Sequence, residues 1–60
     1  PVRARLGVRC DATAEVDRLH AAAVERGHRS AAEPFDAFWG QRYATVLDPD
    51  GNPVDLFAAL

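Results

Sequence analysis

Residues 35–60 read FDAFWGQRYATVLDPDGNPVDLFAAL, and the way this stretch folds back on itself decides the architecture. Gln41 to Leu47 is rich in β-prone residues, and so is Pro53 to Ala58. Between them Asp48-Pro49-Asp50-Gly51 sets φ with proline and supplies glycine where a left-handed residue is wanted. The pattern predicts a β-hairpin. Its register has two solutions. If Gly51 forms a bulge after a type I turn, Asp55 lies opposite Thr45 and near Tyr43, whereas an unbulged turn brings Arg42 within reach of Asp55.

Working outward, Val2 to Cys10 alternates cleanly, with Val2, Ala4, Leu6, Val8 and Cys10 on one face and Arg3, Arg5, Gly7 and Arg9 on the other. A strand with one packed face and one cationic face is expected there. A helix from about Ala12 to Arg26 follows, with Asp11 as N-cap, Glu15 in the first turn and Gly27 as its stop. Val16, Leu19, Ala23 and Val24 form its expected buried stripe. A short strand over His28–Glu33, ending before Pro34, and an aromatic connection through Phe35–Trp39 complete the reading.

The element order is therefore βαβββ, an α+β module with a curved, mixed four-stranded sheet and one helix on its convex face. Residues 1–60 are expected to form this single module, a fragment or half of a larger domain. One helix covers only one face of such a sheet, so the other face must meet solvent, a ligand or a second sheet. Sixty residues bury too little surface for comfortable stability. A single cysteine, Cys10, removes an intrachain disulfide as a staple, which leaves a partner surface as the expected support.

All seven basic residues are arginine; with nine acidic residues the net charge is −2. That balance argues against a general nucleic-acid binder, which needs many cationic contacts to phosphate. No apolar run approaches the roughly 18 residues of a membrane span, and with a lone thiol the expected setting is cytoplasmic and reducing.

The order of elements, together with WGQRYATVLDPDGNPVDLF at residues 39–57, resembles the glyoxalase, bleomycin-resistance and extradiol-dioxygenase superfamily, the vicinal oxygen chelate fold. The resemblance rests most on Trp39-Gly40, on Asp48-Pro49-Asp50-Gly51-Asn52 and on Val54-Asp55-Leu56. It implies that two βαβββ modules, in one chain or across a homodimer, curve around a cup for a small molecule and often a divalent metal. In metal-using members a glutamate precedes the leucine of the closing motif, and a first-strand histidine or similar ligand joins it. Here Asp55 stands at the glutamate position and Arg5 at the first-strand position. Arginine offers donors only and is permanently protonated, so it does not coordinate a cation.

That substitution implies a metal-free module in which Arg5, Trp39, Arg42, Asp55 and Phe57 line a pocket for a small planar or anionic ligand. Three alternatives to that pocket stay open. In one, Asp55 completes a divalent metal site with ligands from another module of a lyase, isomerase or dioxygenase. In another, the chain is a structural dimerisation module. In the plainest, Arg3, Arg5 and Arg9 are a solvated strand face, Arg42 and Asp55 pair on the surface, and the aromatics fill an interface. Neither His20 nor His28 has a catalytic partner at recognisable spacing, and turn chemistry accounts for Asp48, Asp50 and Asn52 without calcium.

Overall fold

A computed structural model describes residues 6–60 of the chain. Strand β1 spans Leu6–Arg9, helix α1 Thr13–Glu25, and strands β2, β3 and β4 span Ser30–Ala37, Gln41–Leu47 and Pro53–Ala59. They form one four-stranded sheet in the order β1-β4-β3-β2, with β1 parallel to β4 and the other neighbours antiparallel. Helix α1 packs on one face of this sheet against β2, β3 and β4. The α+β, βαβββ architecture read from the sequence is the one observed.

Alternation sorts the strands into two chemically different faces. Toward the helix, Cys10, Ala44, Leu56 and Ala58 join Val16 in the buried core, with Val8, Leu19 and Val54 packed against it. Small residues dominate, so the helix can lie close to the sheet; Val16 is its fully buried anchor. Burial of Cys10 also pushes its thiol pKa up, which keeps it protonated and unreactive.

The helix boundaries depart from the expected ones by local chemistry. Ala12, in extended conformation at φ −144° and ψ 154°, is the N-cap and supplies no side-chain hydrogen bond, so Asp11 does not cap the helix. Instead the Asp11 backbone N–H donates to Glu15 Oε1 at 3.0 Å, a glutamate of the first turn reaching back over the helix start. At the other end Gly27, with φ 95°, lets its own N–H reach Val24 O at 3.0 Å and the His28 N–H reach Ala23 O at 3.0 Å. That pair of bonds is a complete Schellman motif. The buried stripe is also rotated from the expected one. His20 is buried and Val24 is 44% exposed, because His20, one turn after Val16, meets Ser30 through an Nε2···Oγ contact of 2.8 Å.

Strand β2 continues through Pro34 to Ala37 rather than ending before the proline. It is an edge strand, where a missing N–H need not break a ladder, and its pairing with β3 shifts twice between Ser30 and Phe35. Phe38-Trp39-Gly40 is consequently a hairpin loop. The Gly40 N–H donates to Ala37 O at 3.0 Å and Gly40 has φ 90°. The second hairpin repeats the device: the Gly51 N–H donates to Asp48 O at 2.9 Å, and Gly51 has φ 83°. Asp48 Oδ1 additionally accepts the backbone N–H groups of Asp50 at 3.0 Å and Asn52 at 2.8 Å.

Candidate functional site: the open sheet face

The bulged solution at Gly51 is the one adopted, and it places Thr45 opposite Asp55 and Tyr43 opposite Phe57. Both pairs lie on the face turned away from α1, since their neighbours Ala44, Leu56 and Ala58 belong to the core. The Thr45 hydroxyl donates to Asp55 Oδ1 at 2.8 Å, and both residues are buried. A carboxylate this deep needs such a donor, because removing a charge from water without hydrogen bonds is costly.

Beside this polar pair runs a wall of rings. Tyr43 and Phe57 stack across β3 and β4 with centroids 6.3 Å apart and planes 20° from parallel. Trp39 stands edge-on to Tyr43 at 5.7 Å and 79°, and to Phe35 at 6.2 Å and 90°. Phe35, paired with Tyr43 across β2 and β3, lies 6.3 Å from it at 60°. The Trp39 indole N–H donates to Gln41 Oε1 at 2.8 Å, which fixes its orientation at the hairpin loop. Phe35 and Trp39 remain 44% and 50% exposed, so their ring surfaces are accessible.

Strand β1 adds Gly7 beside Asp55 and Arg9 beside Phe57. A Cβ at Gly7 would stand 3.4 Å from Phe57 Cε1, so the phenylalanine ring lies over the glycine. Arg9 is exposed on this face.

Of the five residues expected to line a pocket, the structure brings Trp39, Asp55 and Phe57 to the open face. Arg5, like Arg3, lies outside the described residues. Arg42 does not join them. It occupies the helix side of β3, where its guanidinium donates to Asp36 at 2.8 Å and to Asp17 of α1 at 2.9 Å. The alternation that turns Tyr43 and Thr45 outward turns Arg42 inward, so an Arg42–Asp55 pair is ruled out by the adopted register. Hydrogen bonding from Arg42 holds the Asp36 carboxyl below its ordinary pKa, and the Asp36 carboxylate in turn raises that of Arg42.

Sequence reasoning missed the His20–Ser30 contact and left Phe35, though part of the aromatic cluster, out of the expected pocket lining. The i, i+4 spacing of Val16 and His20 was the available signal for the first; for Phe35 it was hidden by taking Pro34 as a strand end. Among the described residues, hollows lie on the helix side, away from Asp55. One of about 350 Å³ is bordered by His20, Ser30 and Glu33, and one of about 340 Å³ lies between α1 and the sheet, bordered by Val8, Leu19 and Val54.

The described donors do not fit a metal centre on their own. Among the described residues no three His, Cys, Asp or Glu side chains converge, and Asp55 shares its oxygen with Thr45. A divalent ion normally requires several such ligands.

A mixed sheet of this order with one helix on one side defines a βαβββ module. The family profile described as Glyoxalase/Bleomycin resistance protein/Dioxygenase superfamily matches residues 2–56, and the chain belongs to that superfamily. Its fold is similar to a glyoxalase/bleomycin resistance protein/dioxygenase family enzyme from Burkholderia phytofirmans PsJN, with a TM-score of 0.87 and 23% identity over 100% of this chain and 47% of that one. A hypothetical protein from S. aureus aligns with a TM-score of 0.85 and 24% identity, over 98% of this chain and 51% of that one. A glyoxalase/bleomycin resistance protein/dioxygenase from Nocardioides gives 0.83 and 25%, over 93% and 37%. The chain thus spans about half the length of these structures or less. No curated protein matches it significantly.

Proposed function

We propose that this chain supplies one of two βαβββ modules around a small-molecule cup, and that its open face holds a planar ligand by stacking, without a metal. The observation that carries this reading is the run of Phe57, Tyr43, Trp39 and Phe35 along the face that α1 leaves uncovered. Buried Asp55, held by Thr45, is the polar reference point beside the rings, and Arg9 is the cation available to an anionic substituent. Solved structures about twice as long as this chain support the two-module arrangement. The partner is a second module, whether covalently joined or in a homodimer.

The buried, protonated Cys10 suits a reducing, cytoplasmic setting. Among the described residues no helix is long and apolar enough to cross a membrane.

The test is a titration of Trp39 fluorescence with a panel of planar aromatic compounds, with and without carboxylate groups, together with elemental analysis of the purified protein. Saturable quenching, weakened by Phe57→Ala, is the expected result. A face that mates only with another sheet will not respond to any of the panel. Stoichiometric bound metal would instead favour a catalytic site in which Asp55 is one ligand.

A further inference from the structure

Helix α1 and its C-cap place Arg18, Ala22 and Arg26 in one row of i, i+4 neighbours, with Leu19 and Ala23 in the row beside it. With His28 these residues border a hollow of about 320 Å³. Leu19, Ala23 and His28 also border the hollow of about 340 Å³ between α1 and the sheet, so they form a sill shared by two adjoining spaces. Beyond the sill the lining is Val8, Val46, Val54 and Leu56. We propose that the two spaces together take one amphipathic anion, a free fatty acid, with its carboxylate at the arginines and its alkyl chain laid across the sill. The site lies on the helix side of the sheet and is independent of the aromatic face.

The two spaces differ as the two ends of such a ligand do. None of the described residues bordering the first is acidic, and its two guanidinium groups are permanent cations whose donors match a carboxylate. Arg26 is exposed and His28 half-buried. Arg18 is held by Glu15 at 3.3 Å but is 67% exposed, a pairing weak enough in water for the guanidinium to turn to a second carboxylate. In the apolar space Val8, Leu19 and Val54 are only partly buried, so an alkyl chain lying over them removes apolar surface from water. Asp48 also borders that space, and its Oδ1 already accepts the backbone N–H groups of Asp50 and Asn52. A neutral alcohol would gain the burial without the ion pair, and a short carboxylate the ion pair with less burial.

The test follows the methyl resonances of Val8, Leu19 and Val54 in the intact chain during titration with octanoate, and in parallel with 1-octanol and hexanoate. Octanoate should half-saturate the shifts at a concentration about fivefold below 1-octanol, the upper end for one exposed ion pair. Hexanoate should need about tenfold more than octanoate, because each buried methylene contributes about fourfold. Arg26→Gln should bring octanoate to within about twofold of 1-octanol. Equal binding of octanoate and 1-octanol would overturn the proposal, because the arginines would then contribute nothing. Equal binding of hexanoate and octanoate would also overturn it, reducing the site to surface arginines that hold any anion. If the shifts gather at Trp39, Tyr43 and Phe57 instead, the helix-side site falls and the aromatic cup stands. Co-sedimentation with phosphatidylglycerol vesicles, without a response to octanoate, would replace the free acid by a lipid surface. The comparison of the three compounds needs no variant, so it decides the matter even if Arg26→Gln fails to fold.

Discussion

Replacing Thr45 with valine isolates the polar pair at the centre of the open face. The two side chains have nearly the same shape, so the change removes the hydroxyl that donates to Asp55 Oδ1 at 2.8 Å and little else. A hydrogen bond to a charged group contributes about 1.5–3 kcal/mol, and Thr45 and Asp55 are only 6% and 4% exposed, so water does not readily replace the donor. The added methyl group recovers about 0.8 kcal/mol through apolar burial. The net loss is then about 1–2 kcal/mol. Urea unfolding followed by Trp39 fluorescence reads this as a midpoint lower by about 1–2 M, at a slope of about 1 kcal/mol/M for so small a domain. Repeating Thr45→Val in an Asp55→Asn background identifies the source. A neutral acceptor makes a bond about half as strong, so the valine should cost clearly less there. Stability within about 0.5 kcal/mol of the parent in both backgrounds, less than the low end of the charged-bond range, would refute the view that Thr45 holds the buried carboxylate.

Two further outcomes follow from the helix start and from the exposed carboxylates. Ala12→Ser should stabilise the chain by about 1 kcal/mol by giving the N-cap an acceptor, seen as a thermal midpoint raised by about 4–8 °C; Ala12→Asp should gain less, because Asp11 and Glu15 flank it, and a lowered midpoint for serine would exclude Ala12 as the cap. Asp36 and Asp48 have folded-state pKa values depressed below the ordinary 3.8, the first by its hydrogen bond from Arg42 and the second by the backbone N–H of Asn52. Their contribution is therefore present above pH 3.8 and is lost as pH falls through the depressed folded values; carboxyl resonances titrating at or above 3.8 would contradict it.

The parts of this fold that were legible were those written by local chemistry. Asp48-Pro49-Asp50-Gly51 names its own turn, and the alternation from Leu6 to Cys10 separates the core face from the arginine face without reference to the rest of the chain. The parts that were not legible depend on position in the finished sheet. Pro34 ends a central strand but passes through an edge strand, and nothing within Ser30–Ala37 says which of these it occupies. Val24 lies one turn beyond His20 on the same helix face, yet it is the more polar His20 that is buried, through its contact with Ser30, while Val24 stays 44% exposed. The fate of Arg42 rested on a single bulge: with Gly51 inserted it belongs to Asp17 and Asp36, and without it to Asp55.

That dependence gives the turns a functional weight that their exposed, polar composition hides. Both hairpins turn through a left-handed glycine, Gly40 and Gly51, so the register of three adjacent strands is set at two loops. A slip of one residue in either would exchange the faces of a strand. In β4 it would drive Asp55 and Phe57 toward the helix and expose Leu56 and Ala58. In β2 it would carry Phe35 away from Trp39 and Tyr43. The rings and the carboxylate share one face only while both glycines keep φ near 90° and 83°. The same two turns that make the sheet therefore also assemble the site, and the helix-side core enforces their register because only one arrangement buries Ala44, Leu56 and Ala58 against Val16.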